Sequence, residues 1–351
     1  MKSQPLNGLW TLEVLGSSFL PVDAVVPGSV YNDLLTADLI PDPFYRDNEI
    51  GALKLMEHDF KYSRSFTVDA DLLSSDAVLL RCEGLDTIAD IYVNGCPVGH
   101  AENMHRVWEF DVKELLHIGE NAVSVHFASP TKYIKEAYSK SVADGSSDAM
   151  VGFPLIRKAH CMFGWDWGPR LPDAGIWRDI SVIGIDCARI RDVQVLQRHE
   201  EDRVTLEIHT HVDHLTDDDT QVEVSVTTPT GQVLMGGGKR CFIVIEQPEL
   251  WWPAGLGGQP LYTVCVELCA EGGLDKWQRR IGLRTMTVSR RRDEWGESFS
   301  HCVNGVDIFA MGADYIPEDN LLPRVTPSAP DACWCQRGSV RKWYRRAPRG
   351  I

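Results

Sequence analysis

Residues 161–169 read CMFGWDWGP: two tryptophans flank one aspartate, with glycines on either side and a proline to close. Asp166 beside the ring of Trp165 is the equipment of a sugar pocket. A carboxylate accepts hydrogen bonds from two hydroxyls of one sugar, and such charge-assisted bonds are stronger than neutral ones. An indole offers a flat apolar face to C–H groups and a single N–H donor. Arg157, a little upstream, can hold that carboxylate in place or touch the sugar itself. The same nine residues also suit a plainer role, in which Asp166 caps a turn and both tryptophans fill a core. On this segment alone both readings stay open.

Few other residues have the types and spacing for chemistry. His209 and His211 lie two apart on a strand-like stretch, so both imidazoles share one face; they suit a metal pair or an ordinary exposed strand surface. Ten cysteines are scattered without a CxxC pair, which suits reduced thiols used as small apolar residues. Cys333 and Cys335 lack neighbouring histidines or a second pair, and no metal site is expected there.

Composition sets wide bounds. A chain of 351 residues allows two or three domains, and 44% apolar residues with 24% charged ones can bury a substantial core. A net charge of −15 argues against a general nucleic-acid binder, which carries a basic face. The start, MKSQPLNGLWTLEVLG, holds no secretory pattern, and no apolar run of about 18 residues follows that would span a bilayer. A cytoplasmic protein without membrane or nucleic-acid partners is expected; oligomeric state is left open.

The elements that must position the WDW segment are strands. FKYSRSFTV (60–68), DAVLLRCEGL (76–85), IADIYVNGCPV (88–98) and NAVSVHFAS (121–129) alternate or run apolar between Gly, Asn, Asp and Pro. Asn94-Gly95 suits a type I′ turn inside a hairpin. From Ile190 a second β-rich block follows, with RVTLEIHTHV (203–212), QVEVSVTTPTGQVL (221–234) and LYTVCVELCA (261–270). Its strand count and spacing predict a smaller immunoglobulin-like sandwich.

The text changes again after Glu294. A short apolar strand, VDIFAMGA (306–313), precedes an acidic, proline-punctuated loop and predicts the first strand of a new domain. An amphipathic helix should follow it. Instead, from Arg337 onward there are six basic residues and no acidic one, with no helical apolar period. This aberrant tail suits a basic arm for an anionic partner or, because composition changes in mid-element, a shifted reading frame.

Taken together, LNGLW (6–10), VPGSVYNDLL (26–35), IPDPFYRDNE (40–49), EGLDTIADIYVNG (83–95), ENMHRVWEFDV (102–112) and IRKAHCMFGWDWGPRLPDAGIW (156–177) resemble the N-terminal domain of the β-mannosidases of glycoside hydrolase family 2. ELWWPAGLGGQPLY (249–262) and IGLRT (281–285) are similar to the following immunoglobulin-like domain. VNGVDIFAMGADYIPEDNLLPRVTP (303–327) resembles the approach to the catalytic (β/α)8 barrel.

The resemblance implies a mostly β chain. A jelly-roll, galactose-binding-like domain would span 1–189 and an immunoglobulin-like sandwich 190–293. The start of the barrel would span 294–327, and 328–351 would be the aberrant tail. It implies a retaining exo-acting hydrolase of terminal β-linked mannose, acting on mannose-terminated oligosaccharides without metal or organic cofactor. Two glutamates on later barrel strands would do the chemistry, so no catalytic residue is expected in this chain; Asn48-Glu49 matches the acid/base pair only superficially and lies in the first domain. In the resemblance Asp166 bonds hydroxyls of the terminal mannose, Trp165 packs or donates beside it, and Arg157 supports either. Trp167 and Trp177 are expected to be core aromatics that fix the loop. A stand-alone carbohydrate-binding or scaffold protein of two β domains is the alternative.

Overall fold

In the computed structural model, residues 1–166, 168–216, 219–270, 273–311, 317 and 319–325 are described. They form two compact units: Lys2–Ile185 with the described residues of 317–325, and a second running from Asp186 to 311. The basic tail and the end of the 306–313 strand lie outside the described residues.

The first unit is an antiparallel sandwich. One sheet has six strands, in the order Val22–Val26, Gly8–Leu15, Asp59–Val68, Gly119–Phe127, Ala89–Val93 and Cys96–Ala101. The other has four, in the order Lys2–Pro5, Ile180–Ile185, Ala77–Cys82 and Trp108–Asp111. Alternation decides which side chains enter the core. Along Asp59–Val68, for instance, Phe60, Tyr62, Phe66 and Val68 are buried and Ser65 and Thr67 exposed. These pack with Trp10, Leu12, Leu80, Val123, Val125 and Phe127 into one cluster. The Asn94-Gly95 turn forms as expected, with φ of 50° and 78°, and joins Val93 to its cross-strand partner Cys96.

Four α-helices also occur among the described residues, at Val30–Thr36, Asn48–Leu55, Ala70–Leu73 and Pro130–Lys140. The last has the local chemistry of a helix start. Pro130 occupies the first turn, where a missing N–H costs nothing, and the Ser129 hydroxyl accepts from the Lys132 N–H at 3.1 Å.

The second unit packs a three-stranded sheet (Ala188–His199, Arg203–His214, Arg240–Glu246) on a four-stranded one (Val233–Gly237, Gln221–Thr227, Tyr262–Ala270, Gly273–Ile281). Seven strands over a core of Val, Leu and Ile match the immunoglobulin-like expectation.

Met286–Ser289, Ser300–Val303 and Val306–Ile308 form a small antiparallel sheet that straddles the expected break at 293/294. Asn304 and Gly305, with φ of 50° and 80°, turn the chain back on itself. Val306–Ile308 therefore pairs with its own preceding strand, and Val306, Phe309 and Met311 remain exposed. Among the described residues no helix is long and apolar enough to cross a membrane.

Candidate functional site

The WDW segment is a tight hairpin. Phe163–Trp165 pairs antiparallel with Gly168–Arg170, Phe163 opposite Arg170 and Trp165 opposite Gly168. Asp166 follows Trp165 at the tip. Gly164 has φ of 93°, a left-handed conformation that suits glycine. The Leu171 N–H donates to the Met162 carbonyl at 2.7 Å and closes the base.

The hairpin is anchored at its root. Phe163 is buried in a satellite cluster with Ile88, Ile134, Phe153 and Ile156. Its ring lies 6.2 Å from that of Phe153, while the Met150 N–H donates to its carbonyl at 3.0 Å. At the tip, Trp165 is 47% exposed. Asp166 is exposed and makes no hydrogen bond or ion pair among the described residues. Turn-capping by Asp166 and core-filling by Trp165 both fail on these grounds. Trp167 lies outside the described residues. Trp177 is half-buried rather than in the core; its indole N–H donates to the Met104 carbonyl at 3.0 Å and Gly84 packs against its ring, so it braces neighbouring backbone outside the hairpin.

Arg157 is exposed, and no ion pair joins it to Asp166. Arg157 makes no side-chain hydrogen bond or ion pair among the described residues. Its backbone carbonyl, by contrast, accepts from the Met104 N–H at 3.1 Å.

Sequence reasoning missed the residues that hold this wall. Lys158, next to Arg157, is buried and ion-pairs with buried Asp86, 72 positions away, and Asp86 also accepts from the Thr87 hydroxyl. Just past the hairpin, Asp173 accepts from the N–H groups of Tyr31 and Ala174 at 3.1 and 2.9 Å. Burial pushes its carboxyl up to about 6, against the pull of the Lys158 ammonium and those donors. Burial also pushes Asp33 up to about 7, against the Val25 N–H and Tyr62 hydroxyl that bond it. No local pattern marks such residues, because their partners are remote in sequence. Glu49, set aside as a catalytic candidate, is engaged elsewhere: it accepts from the Arg170 backbone N–H at 3.1 Å and from its guanidinium Nε at 2.7 Å.

His209 and His211 stay apart from any metal geometry. His209 contacts Glu207 at 2.9 Å, a carboxylate also held by Arg198 and Arg240. Among the described residues no group of His, Cys, Asp or Glu is arranged to hold a metal ion.

The chemistry offered at the hairpin tip is an exposed indole face, an unengaged carboxylate and, nearby in the chain, a free guanidinium. Comparison with known proteins places that tip in a family. Residues 10–178 match the galactose-binding-like domain of glycosyl hydrolase family 2, and residues 188–284 match a second domain of the glycosyl hydrolases of family 2. The bovine β-mannosidase is 29% identical over 92% of this chain and 39% of its own length. The Aspergillus fumigatus β-mannosidase B is 32% identical over 88% of this chain and 38% of its length. The crystal structure of the β-D-mannosidase from Dictyoglomus thermophilum superposes with a TM-score of 0.84 at 34% identity, over 93% of this chain and 41% of that one. The chain therefore spans about two fifths of the length of the relatives it matches.

Proposed function

The chain belongs to glycosyl hydrolase family 2, and on that premise we propose that it is the N-terminal part of a retaining exo-β-mannosidase. Such an enzyme hydrolyses terminal, non-reducing β-D-mannose residues of β-mannosides. The observation that carries the reading is the hairpin tip, where the side chains of Trp165 and Asp166 face solvent with no hydrogen bond, ion pair or ring contact among the described residues. A buried or internally bonded pair would have no capacity left for a ligand.

In this reading Asp166 accepts from two hydroxyls of the terminal mannose, and Trp165 covers the C–H face of the ring. Both interactions orient the sugar and take no part in bond cleavage. Arg157 contributes a donor toward the sugar rather than toward Asp166. Retaining hydrolysis needs two carboxyl groups about 5–5.5 Å apart, one as acid/base and one as nucleophile. The family resemblance puts both on later strands of the barrel, at its C-terminal face. Glu49 is spent on Arg170, which further supports assigning no catalytic group to these residues. The cytoplasm remains the proposed location; Cys82 and Cys241, packed in the two cores as small apolar thiols, suit a reducing compartment.

The test is hydrolysis of a chromogenic β-mannoside by the 351-residue chain, purified from a host without β-mannosidase. No turnover above the no-enzyme control is expected. Turnover proportional to the concentration of the purified chain would overturn the assignment of catalysis to residues outside it.

A further inference from the structure

The hairpin that carries Trp165 and Asp166 is braced by a residue far downstream. Asn320 lies in the acidic, proline-punctuated stretch PEDNLLP, yet it folds with the first unit. Its side-chain Nδ2 donates to the carbonyl oxygens of Pro169, at 3.0 Å, and Cys161, at 3.3 Å, across sequence separations of 151 and 159. Cys161 precedes the first arm of the hairpin and Pro169 lies in the second. A primary amide carries two N–H donors on one nitrogen, so a single group can serve both flanks at once. With Asn320 only 8% exposed, water cannot readily substitute for those donors.

The brace is itself held. Leu321 is fully buried in the core cluster of the first unit. The Leu321 N–H donates to Asp319 Oδ1 at 2.9 Å, and Asp319 pairs with Arg324 at 2.6 Å. Along the second arm Glu49 grips Arg170 through both its backbone and its side chain. The hairpin is therefore clamped across its base and along one arm, while the side chains of Trp165 and Asp166 make no hydrogen bond or ion pair among the described residues. A site whose supporting contacts leave it about 1 Å loose loses much of its function.

We propose that Asn320 is a positioning residue for the sugar-binding tip: by tying Cys161 to Pro169 it sets where Trp165 and Asp166 stand. The proposal rests on the reading of that tip as a mannose contact. It involves no contact between Asn320 and the sugar.

The experiment uses the full chain with 15N-labelled tryptophan, which gives one indole signal for each of its eleven tryptophans. Trp165 and Trp10 are assigned by single Trp→Phe substitutions. The buried Trp10 indole, bonded to the Leu6 carbonyl at 2.8 Å, reports the distant core. Asn320→Ala removes both donors and Asn320→Ser keeps one. Trp165 should shift or broaden in Asn320→Ala and move less in Asn320→Ser, with Trp10 unchanged. Affinity for methyl β-D-mannopyranoside should fall about tenfold in Asn320→Ala, equivalent to about 1.4 kcal/mol, and recover in part in Asn320→Ser. An unmoved Trp165 signal in both variants overturns the proposal. So does joint movement of Trp10 and Trp165, which means general loosening; if Asn320→Ala does not fold, the same criteria apply to Asn320→Ser. A wild-type chain that binds no mannoside, with Trp165 still shifting selectively, refutes the sugar reading and leaves the positioning contact standing.

Discussion

Replacing Lys158 with methionine tests whether the wall beside the hairpin rests on a buried ion pair. The Lys158 side chain is fully buried and that of its partner Asp86 is 3% exposed. Methionine keeps the length and apolar stem of lysine and removes only the charge and its donors. Asp86 then keeps the Thr87 hydroxyl but loses its counter-charge in a site closed to water. Breaking such a pair by removing one partner costs about 3–5 kcal/mol, because the remaining charge is uncompensated. For a folding unit of this size each kcal/mol lowers Tm by about 2–4 °C, which gives a fall of about 6–20 °C. A second consequence concerns Asp173, whose carboxyl Lys158 helps keep ionised; without that ammonium it rises further above about 6. The assay is thermal and urea unfolding of wild type, Lys158→Met, Asp86→Asn and the double variant. The double variant should lose only about 1–2 kcal/mol, less than Lys158→Met alone, since no buried charge remains. A loss below about 1 kcal/mol for Lys158→Met, or additive losses in the double variant, would refute the reasoning.

Two further outcomes follow from the same structure. Asp33 and Asp173 have folded-state values near 7 and 6, raised above 3.8 by burial, so the folded protein holds these protons more tightly than the unfolded chain. Their contribution is fully present below about pH 4 and is lost as pH rises, through about 6 for Asp173 and about 7 for Asp33. Urea midpoints measured from pH 4 to 8 should show that fall superimposed on the response of other groups, and Asp33→Asn should flatten it. Trp165→Ala and Asp166→Asn should each leave Tm within about 2 °C of wild type, because exposed side chains without partners contribute little to stability. A larger drop in calorimetry would mean that the tip is structural.

Much of the fold is legible in the sequence because its causes are local. Alternation along 60–68, 121–129 and 203–212 places side chains on two faces whatever the tertiary context, and Asn94-Gly95 forces a turn by its own backbone preferences. The helix at Pro130–Lys140 also carries a local start, Ser129 before Pro130, which strand periodicity alone passes over. The small sheet at 286–308 hides for a different reason. Val306–Ile308 reads as an apolar strand either way, and only its partner distinguishes an antiparallel hairpin from a barrel strand. At the candidate site, Trp165 and Asp166 stand out by residue type. The residues that hold them do not: Lys158 with Asp86, Glu49 with Arg170 and Asn320 with Cys161 and Pro169 are joined across long separations. Each of those residues is ordinary in its own neighbourhood and acquires meaning only through a partner.

The central claim, that the Trp165–Asp166 tip receives a terminal β-mannoside, is tested most directly by NMR titration of the wild-type chain and Asp166→Asn. The ligands are methyl β-D-mannopyranoside and methyl β-D-galactopyranoside. Weak, saturable binding of the mannoside is expected, on the order of millimolar, with the shifts centred on the Trp165 indole. Weaker binding of the galactoside is expected, with loss of mannoside binding in a folded Asp166→Asn. Mannoside binding of equal strength in wild type and Asp166→Asn, or no perturbation at Trp165 at saturation, would refute that role for the tip.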